Sequence, residues 1–77
     1  MKNDKKNWEM SKKQQEIASL IREARKRKAL SQESLAQRIG MARTNLNAIE
    51  CGRRTLTVTT LEQIATGLEV ELIIKFE

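Results

Sequence analysis

The residue types that acid–base, nucleophilic or metal chemistry requires are almost absent from this sequence of 77 residues. It contains no histidine and a single cysteine, Cys51. A lone thiol without a histidine base is not a usual nucleophilic site, and it cannot supply the ligand set of a zinc site. The sequence also lacks a glycine-rich loop that could cradle a phosphate. We therefore expect no enzyme activity, no cofactor and no metal.

Hydrogen-bonding side chains concentrate instead in residues 43–50. Leu46 and Ile49 are three residues apart, which places them on one face of a helix. This spacing leaves the outer face of that helix polar, with Arg43, Thr44, Asn45 and Asn47. Arg53 and Arg54 follow shortly after it. Amide, hydroxyl and guanidinium groups recognise partners through hydrogen bonds, so this segment predicts a binding surface.

Two helices are expected before this segment. Ser11 and Gln14 have the S-x-x-Q spacing of a capping box, which predicts a helix that begins after Ser11. Its apolar stripe consists of Ile17, Leu20, Ile21 and Ala24. Ser31 caps a second helix, and Gly40 ends it in the left-handed conformation that glycine tolerates best. The inward residues of the second helix are Leu35, Ala36 and Ile39.

A fourth helix and a strand are expected after the segment. The T-x-x-E spacing from Thr59 to Glu62 is a second capping box, so this helix should open at Thr59 or Thr60. Its buried residues are Leu61, Ile64, Ala65 and Leu68. After Gly67 the apolar period becomes two, which indicates a strand whose apolar face is Val70, Leu72, Ile74 and Phe76. Because no other segment has this pattern, the strand should pair with its copy in a second chain.

The segment from Ser31 to Gly52 reads SQESLAQRIGMARTNLNAIECG and places two short helices around one tight turn at Gly40. This pattern resembles the Cro/cI-type (XRE-like) helix-turn-helix family, and the resemblance extends over residues 17–68. It implies a mainly α fold of four helices, here followed by a C-terminal β-strand that pairs across a dimer. It also implies a DNA-binding function in which the third helix enters the major groove. An ordinary helical hairpin in a small bundle is the alternative interpretation.

The resemblance assigns residues of the third helix to base edges. The implied contacts are Arg43, Thr44 and Asn47, with Asn45 nearby and Ala48 facing the bases. Arginine can fork onto guanine O6 and N7, asparagine can contact adenine or a phosphate, and alanine can touch a thymine methyl. The family often has Ser or Thr before this helix, whereas this chain has Ala42. A cap from Thr44 or from the backbone is therefore expected.

The resemblance assigns a second group of residues to the DNA backbone. These residues are Ser31, Gln32, Arg53 and Arg54. The first two lie at a helix N-terminus, which favours anions; a solvated basic loop is the alternative interpretation of the two arginines. Arg25 and Glu50 are implied to form an internal ion pair that ties the first helix to the end of the third.

The C-terminal strand resembles that of antitoxins of the HipB kind, in which the final strands of two subunits pair. Such a homodimer would place two recognition helices about 34 Å apart on one face of the DNA, on an inverted-repeat operator. The resemblance also adds a toxin protein as a possible partner. Alternatively, the strand completes the dimer core of an ordinary repressor.

The net charge of +5 is unevenly distributed. Residues 1–28 carry ten Lys and Arg against four Asp and Glu, whereas residues 55–77 carry one against four. A basic half followed by an acidic end suits a polyanion on one face. We divide the chain into a flexible basic N-terminal arm at residues 1–10, a helix-turn-helix domain at 11–68 and a dimerisation strand at 69–77.

A single unpaired thiol fits a reducing compartment, and the apolar runs are too short for a membrane span. We therefore predict a cytoplasmic homodimer that binds double-stranded DNA, has no membrane partner and represses its own operon. An antitoxin role is a further expectation from the HipB resemblance. Two alternatives remain: a protein-interaction module that neutralises a toxin and binds DNA incidentally, and a lone phage-type repressor.

Overall fold

The computed structural model describes residues 11–77, which contain four helices. Helix α1 spans Lys12–Arg27, α2 spans Gln32–Ile39, α3 spans Arg43–Glu50 and α4 spans Val58–Leu68. The mainly α, four-helix part of the predicted fold is therefore confirmed. None of these helices is long and apolar enough to cross a membrane. The arm predicted at residues 1–10 lies outside the described residues.

Helix α1 begins with the predicted capping box. The Ser11 Oγ accepts from the Gln14 amide at 3.1 Å, and the Gln14 Oε1 accepts from the Ser11 amide at 3.3 Å. Its buried face, however, runs through Ala18, Ile21 and Arg25. Leu20, a member of the predicted apolar stripe, is 62% exposed and does not belong to this face. The inward position of Arg25 shifts the centre of the buried face and leaves Leu20 beyond its margin.

The turn between α2 and α3 is short and closed by backbone hydrogen bonds. Gly40 adopts φ 68° and ψ 36°, the left-handed conformation predicted for it. The Met41 amide donates to the Ala36 carbonyl at 2.9 Å, which completes the cap of α2. Ala36 itself is 2% exposed. This turn fixes the angle at which α3 leaves α2.

The core lies where the four helices meet. Its buried residues are Ile21, Leu35, Ala36, Leu46, Ile49, Ile64 and Leu68. Helix α4 approaches α2 closely at Gly67. A Cβ added at this glycine would lie 2.5 Å from Ile39 Cγ2 and 3.0 Å from Leu35 Cδ1, so no larger residue fits without a shift. Arg38 Nη1 donates to the Gly67 carbonyl at 2.9 Å and holds the same two helices together.

Helix α4 begins earlier than the sequence predicts. Thr57, and neither Thr59 nor Thr60, is its N-cap: the Thr57 Oγ1 accepts from the Thr60 amide at 3.1 Å. The backbone of Thr57 is extended, with φ −96° and ψ 162°, which is the conformation an N-cap requires. The T-x-x-E match at Thr59 therefore lies inside the first turn of the helix.

The predicted C-terminal strand is not present in the described chain. Glu69 adopts a left-handed conformation that ends α4, and residues 70–77 form neither helix nor strand. A strand exists only when its backbone groups pair with those of another strand. Residues 11–77 of one chain contain no second strand. The strand is therefore not observed in residues 11–77, and its pairing between two chains stays a prediction.

Candidate nucleic-acid interface

Helix α3 is anchored by one face and presents the other to solvent. Leu46 is 0% exposed and Ile49 is 3% exposed. Arg43 and Thr44, at the start of the helix, are exposed, and Cys51, directly after its end, is exposed as well. The remaining outward residues are Asn45, Asn47 and Ala48, which are half-buried. The anchored face holds the outward side chains in fixed positions on a helix of eight residues.

The N-terminus of α3 lacks a side-chain cap. Ala42 is the N-cap residue and has extended backbone, and neither Thr44 nor any other side chain accepts a hydrogen bond as a cap. The backbone compensates in part, since the Asn45 amide, one of the first-turn amides without an ordinary helical partner, donates to the Ala42 carbonyl at 3.0 Å. Of the two caps that the sequence left open, the backbone one is observed.

A buried ion pair fastens the end of α3 to α1. Arg25 Nε donates to Glu50 Oε2 at 2.7 Å, and Arg25 Nη2 donates to Glu50 Oε1 at 3.0 Å. Arg25 Nη1 also donates to the Leu30 carbonyl at 2.7 Å, just before α2. Arg22 Nη1 donates to the backbone carbonyl of Glu50 at 3.0 Å. The structure thus brings together Arg25 and Glu50, the pair implied by the family resemblance, and joins three helices through them.

Gln32 connects this ion pair to the outer side of α3. Its Nε2 donates to Asn47 Oδ1 at 3.1 Å and to Glu50 Oε1 at 3.0 Å. The sequence placed Gln32 on a phosphate and Asn47 on a base, and it did not anticipate a bond between the two. The Cys51 Sγ lies 3.9 Å from the same Asn47 Oδ1. Cys51 follows Asn47 by four residues, one helical turn, which is the only sequence signal for that contact.

Asn45 stands two residues before Asn47, so the two side chains point to different sides of α3. Unlike Asn47, Asn45 has an amide oxygen that accepts no hydrogen bond within the described residues. Within residues 11–77, its Oδ1 is buried and has no hydrogen-bond partner. An unpaired buried amide oxygen is unfavourable, so the acceptor of this side chain is left unsatisfied.

The residues predicted to contact phosphates lie at two places beside α3. Ser31 is the N-cap of α2, and its Oγ accepts from the Ser34 amide at 3.0 Å. Gln32 is the first residue of that helix. Arg53 and Arg54 are exposed, and like Arg43 they form no ion pair within the described part of the chain. Their charges are therefore free for an anion. The same described residues contain no group of His, Cys, Asp and Glu that could hold a metal.

Two short helices packed through a tight glycine turn, with a polar outer face on the second, define a helix-turn-helix protein. Residues 21–74 match the HTH_3 helix-turn-helix family, and the chain belongs to it. This family is a DNA-binding regulatory one.

The chain is similar to proteins with regulatory names. It is 39% identical over 56 residues to the ImmF control region 10 kDa protein of Bacillus phage phi105, which covers 73% of this chain and 62% of that protein. It is 42% identical over 53 residues to control protein C.MunI of Mycoplasma sp, and this match covers 68% of this chain and 72% of that protein. The solved structure of the restriction-modification controller protein C.AhdI from Aeromonas hydrophila superposes with a TM-score of 0.70, at 34% identity, over 73% of this chain and 81% of that one. The chain thus spans less than two thirds of the length of the phage protein.

Proposed function

We propose that this protein is a sequence-specific DNA-binding transcriptional regulator that acts as a homodimer and places α3 in the major groove. The observation that carries the proposal is the outer face of α3. Arg43 and Thr44 are exposed there, Asn47 stands beside them, and the opposite face is locked into the core. The major groove is about 12 Å wide and admits a helix with its side chains.

The roles within α3 follow from the groups exposed. Arg43 is exposed at the first position of the helix without an ion-pair partner in residues 11–77, so its guanidinium can fork onto guanine O6 and N7. Thr44 and Asn47 supply a hydroxyl and an amide, Ala48 is small enough for contact with a thymine methyl, and Asn45 adds a second, half-buried amide side chain. These five residues form the proposed reading surface.

The residues on either side of α3 hold the DNA backbone. Arg53 and Arg54 lie beyond its C-terminal end as exposed cations that form no ion pair within residues 11–77. Ser31 and Gln32 lie at the start of α2, where the backbone amides of the first turn point outward and attract anions. Such contacts set position and salt dependence, and the base contacts set sequence preference.

A homodimer explains the apolar surface that one chain leaves uncovered. Three residues of the predicted pairing face are exposed apolar ones: Val70, Ile74 and Phe76, the last 101% exposed. A domain this short buries a small share of its surface alone, and a second copy supplies more apolar burial. Pairing about a two-fold axis places two α3 helices about one turn of DNA apart, so the proposed operator is an inverted repeat.

The names of the relatives support regulation. They describe a control region protein and a control protein, and a third relative from Methanothermobacter thermautotrophicus is described as an HTH-type transcriptional regulator. We propose control of the protein's own operon on this basis. The phage relative also favours the lone phage-type repressor as a second candidate. Nothing in these names supports a toxin partner, so the antitoxin role stays a prediction from the sequence.

A gel-shift titration with the DNA upstream of the gene tests the proposal. Binding should survive excess competitor DNA and should be lost in the Arg43→Ala/Asn47→Ala double variant. The control is Lys12→Ala/Gln37→Ala, which removes one positive charge and one amide from exposed positions outside α3. Binding that is weak, steeply salt-dependent and equal for any duplex would contradict the proposal.

A further inference from the structure

The side-chain amide of Gln32 lies between a buried carboxylate and the outer side of α3. Its Nε2 is 3.0 Å from Glu50 Oε1 and 3.1 Å from Asn47 Oδ1. Glu50 is 2% exposed and Gln32 is half-buried. Both bonds are therefore partly buried, and water competes with them less than it would at an open surface.

The hydrogen-bonding capacity of these groups determines whether the oxygen or the NH2 group of each amide faces its neighbour. Glu50 is paired with Arg25 through both oxygens, and such a carboxylate accepts hydrogen bonds and donates none. The part of Gln32 that faces Glu50 must therefore be its NH2 group. The second hydrogen of that NH2 group points to Asn47, and only the oxygen of Asn47 can accept it.

The orientation of Asn47 follows. Its Oδ1 accepts from Gln32, and the Cys51 Sγ lies 3.9 Å from the same oxygen as a weak second donor. An amide oxygen has two lone pairs, and both are directed to the protein. The NH2 group is the part of the Asn47 amide left for a partner.

We propose that Gln32 is a specificity-determining positioning residue that presents Asn47 to the DNA as a hydrogen-bond donor. This inference rests on the proposed function. In the major groove, guanine offers two acceptors, N7 and O6, whereas cytosine offers an amino group that is itself a donor. Asn47 therefore favours guanine at the base it reads and disfavours cytosine. Adenine loses its usual two-bond contact with asparagine, because that contact needs a free asparagine oxygen.

The same geometry removes the Gln32 side chain from the phosphate contacts. Both hydrogens of its NH2 group are used within the protein, and its oxygen cannot donate to a phosphate. Its backbone amide at the start of α2 stays available for an anion. Gln32 thus contacts the backbone through its main chain and acts on the bases through Asn47.

The test compares base preferences selected from a randomised duplex library. Gln32→Met keeps the length of the side chain and its backbone amide and removes the NH2 group. The matched control is Gln37→Met, the same change at an exposed position of the same helix. Circular dichroism and thermal unfolding of each variant establish that it is folded.

Wild-type protein and the control should enrich the same motif, with guanine at the position assigned to Asn47. In Gln32→Met, the preference at that one position in each half-site should fall by about tenfold, the scale of one lost base contact, and the other positions should keep theirs. An equally sharp motif bound more weakly at every position would overturn the inference, because that is the result of a lost phosphate contact. A wild-type protein that enriches no motif would overturn the proposed function as well.

A second variant keeps the inference testable if Gln32→Met does not fold. Asn47→Asp has the same shape, still accepts from Gln32 and presents an acceptor where Asn47 presents a donor. Its selected base should change from guanine to cytosine, whose amino group donates to a carboxylate. Retention of guanine by Asn47→Asp would overturn the inference.

Discussion

Arg25 and Glu50 form a buried ion pair that supports the folded state only while both partners are present. Glu50 has a side-chain exposure of 1% and Arg25 of 11%, so each charge is removed from most of its water. Two bonds between them and one from Arg25 to Leu30 compensate for that loss. Removing one partner leaves the other as an isolated buried charge.

Arg25→Met tests this account of the ion pair. It should lower the free energy of unfolding by about 3–5 kcal/mol, because the buried Glu50 carboxylate loses the partner that compensates for its burial. The control Arg27→Met makes the same change at an exposed position of α1 and should stay within about 0.5 kcal/mol of wild type. Urea denaturation measures both. Adding Glu50→Leu to Arg25→Met should recover much of the lost stability. Equal losses of stability in Arg25→Met and Arg27→Met would contradict the account.

Cys51 offers a direct probe of the outer face of α3, because it is exposed and is the one cysteine in the sequence. If this face lies against the bases, a duplex that contains the operator should nearly abolish alkylation of Cys51 by a maleimide. Mass spectrometry follows the reaction. The control protein is Cys51→Ser/Gln63→Cys, with a thiol on the exposed surface of α4, which should react at the same rate with and without DNA. Unchanged alkylation of Cys51 in the bound complex would place the DNA elsewhere.

At this scale the sequence predicts residue types better than it predicts bonds. The Arg25 and Glu50 pair follows from the family pattern. The contact of Gln32 with Asn47 joins residues fifteen positions apart and depends on how α2 crosses α3, which no local spacing encodes. The phosphate contact predicted for Gln32 did not take this bond into account and stays a prediction.

Helix boundaries depend on local backbone geometry as well as on motif spacing. Thr57 stands three residues before Thr60, and Thr59 stands three residues before Glu62, so both threonines have the spacing of an N-cap. Only Thr57 has the extended backbone of an N-cap, and its Oγ1 accepts from the Thr60 amide. The capping-box spacing at Thr59 was therefore a misleading signal, whereas Ser11 and Ser31 were predicted correctly because no competing cap stands beside them.

Thr57→Ala should lower the free energy of unfolding by about 1 kcal/mol, since the N-cap hydrogen bond of α4 is lost. Thr59→Ala is the matched control. It removes an exposed threonine from within the first turn and should change stability by less than about 0.5 kcal/mol. Thermal or urea unfolding of the two variants compares them. A larger loss for Thr59→Ala than for Thr57→Ala would restore the start predicted from sequence.

At the scale of the whole molecule, the C-terminal strand is the predicted element that the described single chain does not contain. The alternation after Gly67 has the period of a strand, but the backbone of residues 70–77 has no partner in the described chain. Pairing between chains depends on contacts between two molecules. The apolar period of one sequence can therefore suggest a strand, but it does not show which residues of a second chain the strand pairs with. The four-helix arrangement, in contrast, follows from contacts within one chain and was predicted from apolar spacing.

Ile74→Glu tests the proposed homodimer. A charge on the apolar face that contains Val70, Leu72 and Phe76 should oppose burial between subunits and shift the protein to monomer. Ile73→Glu makes the same change on the alternate face of the segment and should leave the dimer intact. Sedimentation velocity measures the mass of each. A dimer that persists in Ile74→Glu, or that is lost equally in both variants, would contradict pairing through this face.

The central claim is that α3 reads DNA sequence from its outer face, and a specificity ratio tests it most directly. The ratio compares the dissociation constant for a scrambled duplex with that for the selected inverted repeat, at physiological salt. We expect a ratio of roughly 10³ or more for wild-type protein, the lower end of specific recognition. It should fall to within about tenfold of unity in Arg43→Ala/Asn47→Ala, which loses two base contacts. A wild-type ratio near one, or a double variant that keeps the wild-type ratio, would contradict the claim.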